Sequence, residues 1–461
     1  MFYLGRGRGG PVHLDGESHL LVLGPPRCGK TTALVVPNLL ASQQATVVTS
    51  TKVDIMASTA KERSRHGRVW VFDPSGSTPV PGWATPLRFS PVGEAVDFKR
   101  AMLLARAMVR SSTVHAGHAL SFWEERAEAV LAPCLLAARL GGLGMPEVME
   151  MVEGRELESA VAMLAAKGER EAASALSAVV ASSERERSGV LSTAAGLLSA
   201  YRMPEVLADS ASPNFDATAF AASTDTLYVV APSTVQDLLS PVVAGLIAGV
   251  KQAAYAQANA RVAGGGSARP VPAVKLLLDE MANIAPLHDL GGILSEGASQ
   301  GVLVLGVLQD LSQARYRWPG LSDGMLTLFQ NTLVFPGIAN LPELVRYYAR
   351  PGGGAMPFHP RRTPLCLVRT LDRWGITPLI SAFVLIQTEV GSISEVAQNL
   401  RGTPGVDFAD EVTGPYDIVC RVHADDLISL GDSVTAAIQR IEGVTRTLTC
   451  PVTRNISLAD L

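Results

Sequence analysis

The chain has 461 residues, 47% hydrophobic and 18% charged, and its 39 Lys+Arg against 43 Asp+Glu leave a formal charge of −4. That length suggests roughly two to four domains rather than one core, and that charge provides no global basic field for nucleic acid, although a local basic channel stays open. Five scattered cysteines, at 28, 134, 366, 420 and 450, form no CxxC or Cys/His cluster, which argues against a disulfide framework and a zinc site and fits a reducing cytoplasm.

The first 90 residues alternate apolar strands, at 19–24, 45–50 and 68–74, with a segment of helical length at 30–43. This βαβ pattern predicts a parallel sheet. Between the first strand and that helix, Gly24-Pro25-Pro26-Arg27-Cys28-Gly29-Lys30-Thr31 satisfies G-x-x-x-x-G-K-[ST]. Such a loop turns backbone N–H groups on a β-phosphate and adds the partial positive charge of a helix N-terminus. It extends its lysine to the β/γ-phosphates and offers its threonine hydroxyl to Mg2+. Gly24, Pro25, Pro26, Arg27, Cys28, Gly29, Lys30, Thr31 and Thr32 are therefore the expected nucleotide-binding residues, Lys30 also acts on the reaction, and ATP and Mg2+ are the expected ligands. Cys28 places a thiol at that helix N-terminus, where reactivity toward alkylation and inert packing are both open.

From 98 to 205 the text turns to Ala/Leu/Glu/Arg at helical spacing, and predicts an all-α domain over 98–212 inserted into an α/β domain formed by 1–97 and 213–350. Strands return at 226–232, 273–280, 301–310 and 331–337. No apolar stretch approaches the roughly 18 residues of a membrane span; the best, 238–250, is shorter and contains Pro241. The N-terminus lacks a signal-peptide pattern.

Mg2+ and an attacking water require carboxylates opposite the loop. "VKLLLDE" supplies them, because an apolar, buried-strand run ends on Asp279 and Glu280. Asp279 is expected to hold Mg2+ through water and Glu280 to orient the nucleophilic water, although a pair that only caps a strand reads the same in isolation. Gln309, at the end of the next strand, is expected to contact the γ-phosphate and report its presence. Gln313 is assigned to the surface or to nucleic acid rather than to chemistry.

A Gly/Pro/Arg-rich linker is expected over 351–378, with a separate unit over 379–461. That unit reads as a strand (379–390), a helix and turn (392–406), two strands about Gly414-Pro415-Tyr416-Asp417, a helix (424–444) and a last strand (445–452). The order β-α-β-β-α-β is ferredoxin-like. Two concentrated basic stretches, 61–68 and 359–364, read equally as solvated loops or DNA contacts.

Taken in order, "LGPPRCGKTT", "VVTSTKVDIMASTAKERSRHGRVWVFDPSG", "FWEERAEAVLAPCLLAA", "SGVLSTA", "LLLDEMANIAPLHDLGGILSEGASQGVLVLGVLQDLSQARYRW" and "LFQNTLVFPGIANLPEL" resemble conjugative coupling proteins of type IV secretion systems. That family is related to the DNA-translocating ATPases of the FtsK/HerA group. The resemblance covers roughly residues 15–350 and implies a RecA-like P-loop NTPase motor with an inserted all-α domain, assembled as a hexameric ring around a DNA channel. ATP would sit between subunits, and its hydrolysis would move single-stranded DNA or a relaxase–DNA complex toward the channel formed by type IV secretion components. Lys52 and Asp54 of "STKVD" match the family's motif after the second strand. A neighbouring subunit would donate an arginine, and Arg315, Arg317, Arg346 and Arg350 are the candidates, among which the sequence does not choose. Coupling proteins start with two membrane-spanning helices, whereas this chain begins almost at its first motor strand. That implies a cytoplasmic form membrane-associated through a partner, or a shortened chain. A soluble HerA-like DNA-processing motor is the alternative of the same class.

Residues 379–452, through "FVLIQTEVG", "GTPGV", "EVTGPYDIVCRV" and "IEGVTRTLTCPV", resemble the ligand-binding domain of leucine-responsive/AsnC regulators, in versions that lack a DNA-binding helix-turn-helix. The resemblance implies dimers formed through paired sheets and a small effector, such as an amino acid, bound between dimers. Asp410, Glu411, Gly414, Tyr416 and Asp417 fall at the matching turn, a stretch that also makes a good tight turn. From this domain comes a reading of another class, a metabolite-responsive assembly protein that uses its nucleotide as a switch.

Overall fold

A computed structural model describes residues 1–7, 10–14, 16–112, 122–264, 273–321, 324–335, 380–389, 391–412, 416–424 and 436–451. Its strands are, in chain order, β1 (Tyr3–Gly7), β2 (Gly10–His13), β3 (Leu20–Leu23), β4 (Ala45–Ser50), β5 (Val69–Phe72), β6 (Thr85–Pro86) and β7 (Thr226–Val230). These are followed by β8 (Val274–Leu278), β9 (Val302–Leu308), β10 (Asn331–Val334), β11 (Ile380–Thr388), β12 (Val406–Glu411), β13 (Ile418–Ala424) and β14 (Val444–Pro451). The chain divides into two compact units, Met1–Leu14 with Leu23–Pro37 and Asn331–Leu461, and Asp15–Val22 with Asn38–Gln330.

In the second unit the sheet runs β3-β9-β8-β4-β7-β5-β6. The pairs β8·β9, β4·β8, β4·β7, β5·β7 and β5·β6 are all parallel. Strands β4, β7, β8 and β9 are buried along their whole length, the pattern of a parallel sheet covered on both faces. Between β6 and β7 the described residues form helices and no strand, the longest being Phe98–Ser112, Phe122–Gly141 and Glu184–Leu197. The chain then returns to the middle of the sheet, since β7 lies between β4 and β5.

The apolar stretch at 238–250 belongs to a longer element than its proline suggested. Helix Gln236–Ala263 has 28 residues and is, among the described residues, the one helix long and apolar enough to cross a membrane. Here 78% of its apolar window is buried inside the protein, where the helix packs on Phe98–Ser112 and Ala217–Ala221. Pro241 is tolerated because the carbonyl it deprives of a backbone partner, that of Asp237, accepts from the Ser240 hydroxyl at 3.1 Å. Gly245 permits the close approach, since a Cβ there would lie 3.3 Å from Leu104 and Met108.

The basic stretch 61–68 is neither a solvated loop nor a DNA contact throughout, because Arg63 is fully buried. Its Nε donates to Thr226 Oγ1 at 2.8 Å, and its terminal nitrogens donate to the carbonyls of Ser42 and Thr224. Lys275 lies in the same row of the sheet, opposite Thr46, which in turn faces Thr226. Burial first, and the Arg63 charge second, push the Lys275 ammonium down to about 8. Between pH 8 and the ordinary lysine value of 10.5 this side chain binds a proton in the unfolded chain that it does not bind in the folded one, so its own contribution to stability rises with pH across that window. The depression corresponds to about 3 kcal/mol. The buried Cys134 and Cys420 thiols, pushed up to about 12 and about 11, act in the opposite sense above the ordinary thiol value. The expected result is therefore a difference between proteins: from about pH 8 to 9 the melting temperature of the wild type rises relative to that of Lys275→Met, and parallel profiles would contradict the assignment.

The first unit opens with an antiparallel hairpin, β1 on β2, which the sequence reading did not anticipate. Its β10 runs on to Phe335, whose N–H donates to the Leu23 carbonyl at 2.7 Å, just ahead of the glycine-rich loop. The C-terminal elements follow as β11, helix Ile393–Arg401, β12, β13, helix Ala436–Gln439 and β14. They form an antiparallel sheet of order β12-β13-β11-β14, the expected β-α-β-β-α-β arrangement. Ala382, Val384 and Ile386 of β11 with Ala409, Ile418, Cys420 and Val422 pack against Val396, Ala397, Leu400 and Ile438 of the two helices. The expected linker at 351–378 and the basic stretch at 359–364 lie outside the described residues.

Candidate functional site

The glycine-rich loop leaves β3 at Gly24 and enters a π-helical turn at Thr31–Val35, which continues as helix Val36–Leu40. Arg27 (φ 62°) and Gly29 (φ 91°) take left-handed backbone within it. Alternating hands of this kind turn successive N–H groups to one side, the geometry of an anion-binding nest. Gly24 has no room for a side chain: a Cβ there would lie 2.7 Å from Phe335 Cβ and 2.8 Å from Cys28 Sγ. Lys30 is 6% exposed, and its ammonium donates to the carbonyls of Gly24 and Pro25, the latter at 2.7 Å. It therefore closes the loop on itself. Cys28 is half-buried with its sulfur 3.9 Å from Lys30 Nζ. Thr31 is half-buried at the head of the turn, and the Thr32 hydroxyl donates to the Gly29 carbonyl at 3.1 Å.

In the second unit, Asp279 and Glu280 follow β8 directly, and Gln309 follows β9, its parallel neighbour. Asp279 is 8% exposed, and its carbonyl accepts from the Thr49 hydroxyl at the end of β4 at 2.7 Å. Glu280 has φ 53°, left-handed backbone that a non-glycine residue adopts at a cost of about 1 kcal/mol. Its carboxylate is met by two amides: Gln309 Nε2 lies 3.4 Å from both oxygens and Asn283 Nδ2 lies 3.4 Å from Oε2. The structure thus brings Glu280 and Gln309 together. Gln313, which was assigned to the surface or to nucleic acid, instead accepts the Gln309 backbone N–H at 2.8 Å and fixes the strand end. Asn283, Thr49 and Gln313 were missed as members of this cluster. Only Asn283 carried a signal, a polar residue one helical turn beyond Glu280.

The other candidates separate by their partners. Lys52 and Asp54 are exposed, and Asp54 Oδ1 accepts the Ile55 N–H at 2.9 Å. Arg317 donates to the Ala282 carbonyl at 2.7 Å, with burial holding its pKa down, whereas Arg315 is exposed; Arg346 and Arg350 lie outside the described residues. In the C-terminal sheet Asp410 and Glu411 are exposed, and Glu411 accepts from Ser394 at 3.0 Å. Tyr416 is half-buried and Gly414 lies outside the described residues. Asp417 Oδ2 accepts from the Thr388 N–H at 2.8 Å, so this carboxylate ties β13 to β11.

The donors fit a magnesium nucleotide. In the second unit, carboxylates are the hard oxygens Mg2+ takes, and in the first the loop contains a glycine cradle that a Cβ would fill.

Residues 3–334 match the family model described as type IV secretory system conjugative DNA transfer, and residues 381–459 match that of the Lrp/AsnC ligand binding domain. Two Escherichia coli proteins described as conjugal transfer protein TraG are similar. One is 30% identical over 145 residues, covering 30% of this chain and 22% of that protein. The other is 27% identical over 329 residues, covering 66% of this chain and 50% of that protein. The chain therefore spans half or less of the length of these relatives. Among solved structures, the bacterial conjugative coupling protein TrwBdeltaN70 in complex with sulphate has a TM-score of 0.53 at 17% identity, over 72% of this chain and 73% of that one. The plasmid coupling protein TrwB in complex with ADP and Mg2+ has the same TM-score at 16% identity, over 72% and 74%. At this identity the likeness shows a shared fold, a RecA-like sheet.

Proposed function

The chain belongs to the type IV secretory system conjugative DNA transfer family, and from that premise we propose that it is an ATP-hydrolysing motor that couples DNA, or a relaxase–DNA complex, to a type IV secretion channel. The single observation that carries the reading is the cluster at the ends of β8 and β9, where a buried Asp279 precedes a Glu280 carboxylate faced by the Gln309 amide.

In this reading Gly24 to Thr32 wrap the phosphates, and Lys30 leaves its own loop carbonyls to meet the β/γ-phosphates. Thr31 and Asp279 hold Mg2+, which would draw charge from the phosphate oxygens. Glu280 orients the water, and Gln309 senses the terminal phosphate. The motor comprises 1–97 and 213–350, with an all-α domain over 98–212. It works as a hexameric ring, with an arginine supplied across the subunit boundary, on the cytoplasmic side of a membrane. TrwB, solved with ADP and Mg2+, supports the choice of ligands.

The C-terminal domain is proposed to assemble the ring or to regulate it through a small effector such as an amino acid. Assembly is favoured by the sheet face that its helices leave uncovered, where Phe383, Leu385, Phe408 (37% exposed) and Leu448 (45% exposed) lie. Apolar area of that kind marks a contact surface.

Single-stranded DNA is expected to accelerate ATP hydrolysis severalfold or more. A phosphate-release assay with and without DNA tests this. A turnover indifferent to DNA would favour the nucleotide switch over the motor.

A further inference from the structure

We propose that Asn283 is a positioning residue for Glu280: its side-chain amide, together with that of Gln309, fixes the direction in which the Glu280 carboxylate presents itself to water. The inference rests on the hydrolytic role given above to Glu280.

Glu280 stands between β8 and the four-residue helix Met281–Ile284. Its left-handed φ of 53° reverses the chain at once, and its carbonyl accepts from the N–H groups of Asn283 at 2.9 Å and Ile284 at 3.1 Å. That tight turn carries the Asn283 side chain back over the residue that began it, so that Nδ2 reaches Glu280 Oε2 at 3.4 Å. From the other side Gln309 Nε2 reaches both oxygens at 3.4 Å, from a backbone pinned by Gln313. Two amides from two elements therefore define the plane of one carboxylate.

The choice of amides has a chemical consequence. A lysine or arginine in either place would form an ion pair and offset the carboxylate's charge, whereas a neutral amide sets its direction without adding a compensating charge. The contacts are long, each worth less than the roughly 1 kcal/mol of an ordinary hydrogen bond, so they bias the direction of the carboxylate and leave its oxygens able to accept from water as well. Losing one amide should leave nucleotide binding intact and spoil aim, which costs rate.

The test is steady-state ATP hydrolysis by the full chain as wild type, Asn283→Ala and Asn283→Asp, with Glu280→Gln as reference and a thermal melt of each. Asn283→Ala is expected to lower kcat by up to about fivefold, the most that a contact worth less than about 1 kcal/mol can supply, at an unchanged KM for ATP. Asn283→Asp, equal in size but without the donor and with a charge facing Glu280, is expected to lower kcat further. A residue that only fills space would give the reverse order and would move the melting temperature instead of kcat. Wild-type kcat in both variants, or that reverse order, overturns the positioning role. If Glu280→Gln retains full turnover, or if the wild type has none, the hydrolytic reading of Glu280 falls and this role falls with it. Loss in Glu280→Gln beside wild-type kcat in the Asn283 variants overturns the positioning role alone.

Discussion

Lys30→Ala abolishes ATP turnover, with an expected loss of roughly a thousandfold or more, and leaves the fold standing. The ammonium is 6% exposed and bound to the Gly24 and Pro25 carbonyls, inside a loop whose backbone suits an anion. A phosphate offers that ammonium a better partner than two neutral carbonyls, because it adds a charge–charge attraction to the hydrogen bond. Removing the ammonium takes away that interaction where negative charge shifts during phosphoryl transfer. The surrounding strand and helix do not depend on it, since Leu23, Leu34 and Val35 are buried on their own account. Phosphate release and a thermal melt of Lys30→Ala check both halves, and full turnover by this variant would remove the loop from the reaction.

Glu280→Gln is the second large effect. The substitution keeps size and removes the charge, so the left-handed turn at φ 53° and both facing amides are retained. Loss of a group that orients or activates water costs typically 10²–10⁴-fold in rate, of which about a hundredfold is the smallest loss expected here. Nucleotide affinity should hold, because Glu280 is proposed to act on water and not on the nucleotide. A variant that binds ATP with wild-type affinity and hydrolyses it at no more than about a hundredth of the rate fits. Equal turnover would move the water-orienting role elsewhere.

What was legible in the sequence is what local pattern encodes. The phosphate loop could be read because its function needs particular residue types at fixed spacing, and β8 could be read because four of its five buried positions before Asp279 are apolar. Alternation of strands and helices likewise announced the C-terminal β-α-β-β-α-β order. What could not be read depends on partners distant in sequence. Arg63 looks like any arginine in a basic run until Ser42, Thr224 and Thr226 supply its acceptors. Pro241 looks like a helix end until Ser240 covers the Asp237 carbonyl. Gln313 looks like a surface residue until it accepts the Gln309 N–H. Asn283 sits three residues from Glu280, yet its contact depends on a left-handed turn at a glutamate, a conformation no propensity would assign.

Displacement of streptavidin from the end of a biotinylated single-stranded DNA tests the central claim most directly, because it reads movement along DNA and not hydrolysis alone. The account predicts release that requires ATP and Mg2+, is absent in Lys30→Ala and Glu280→Gln, and proceeds faster from one DNA end than from the other. Vigorous ATP turnover on the same DNA with no streptavidin released would contradict it.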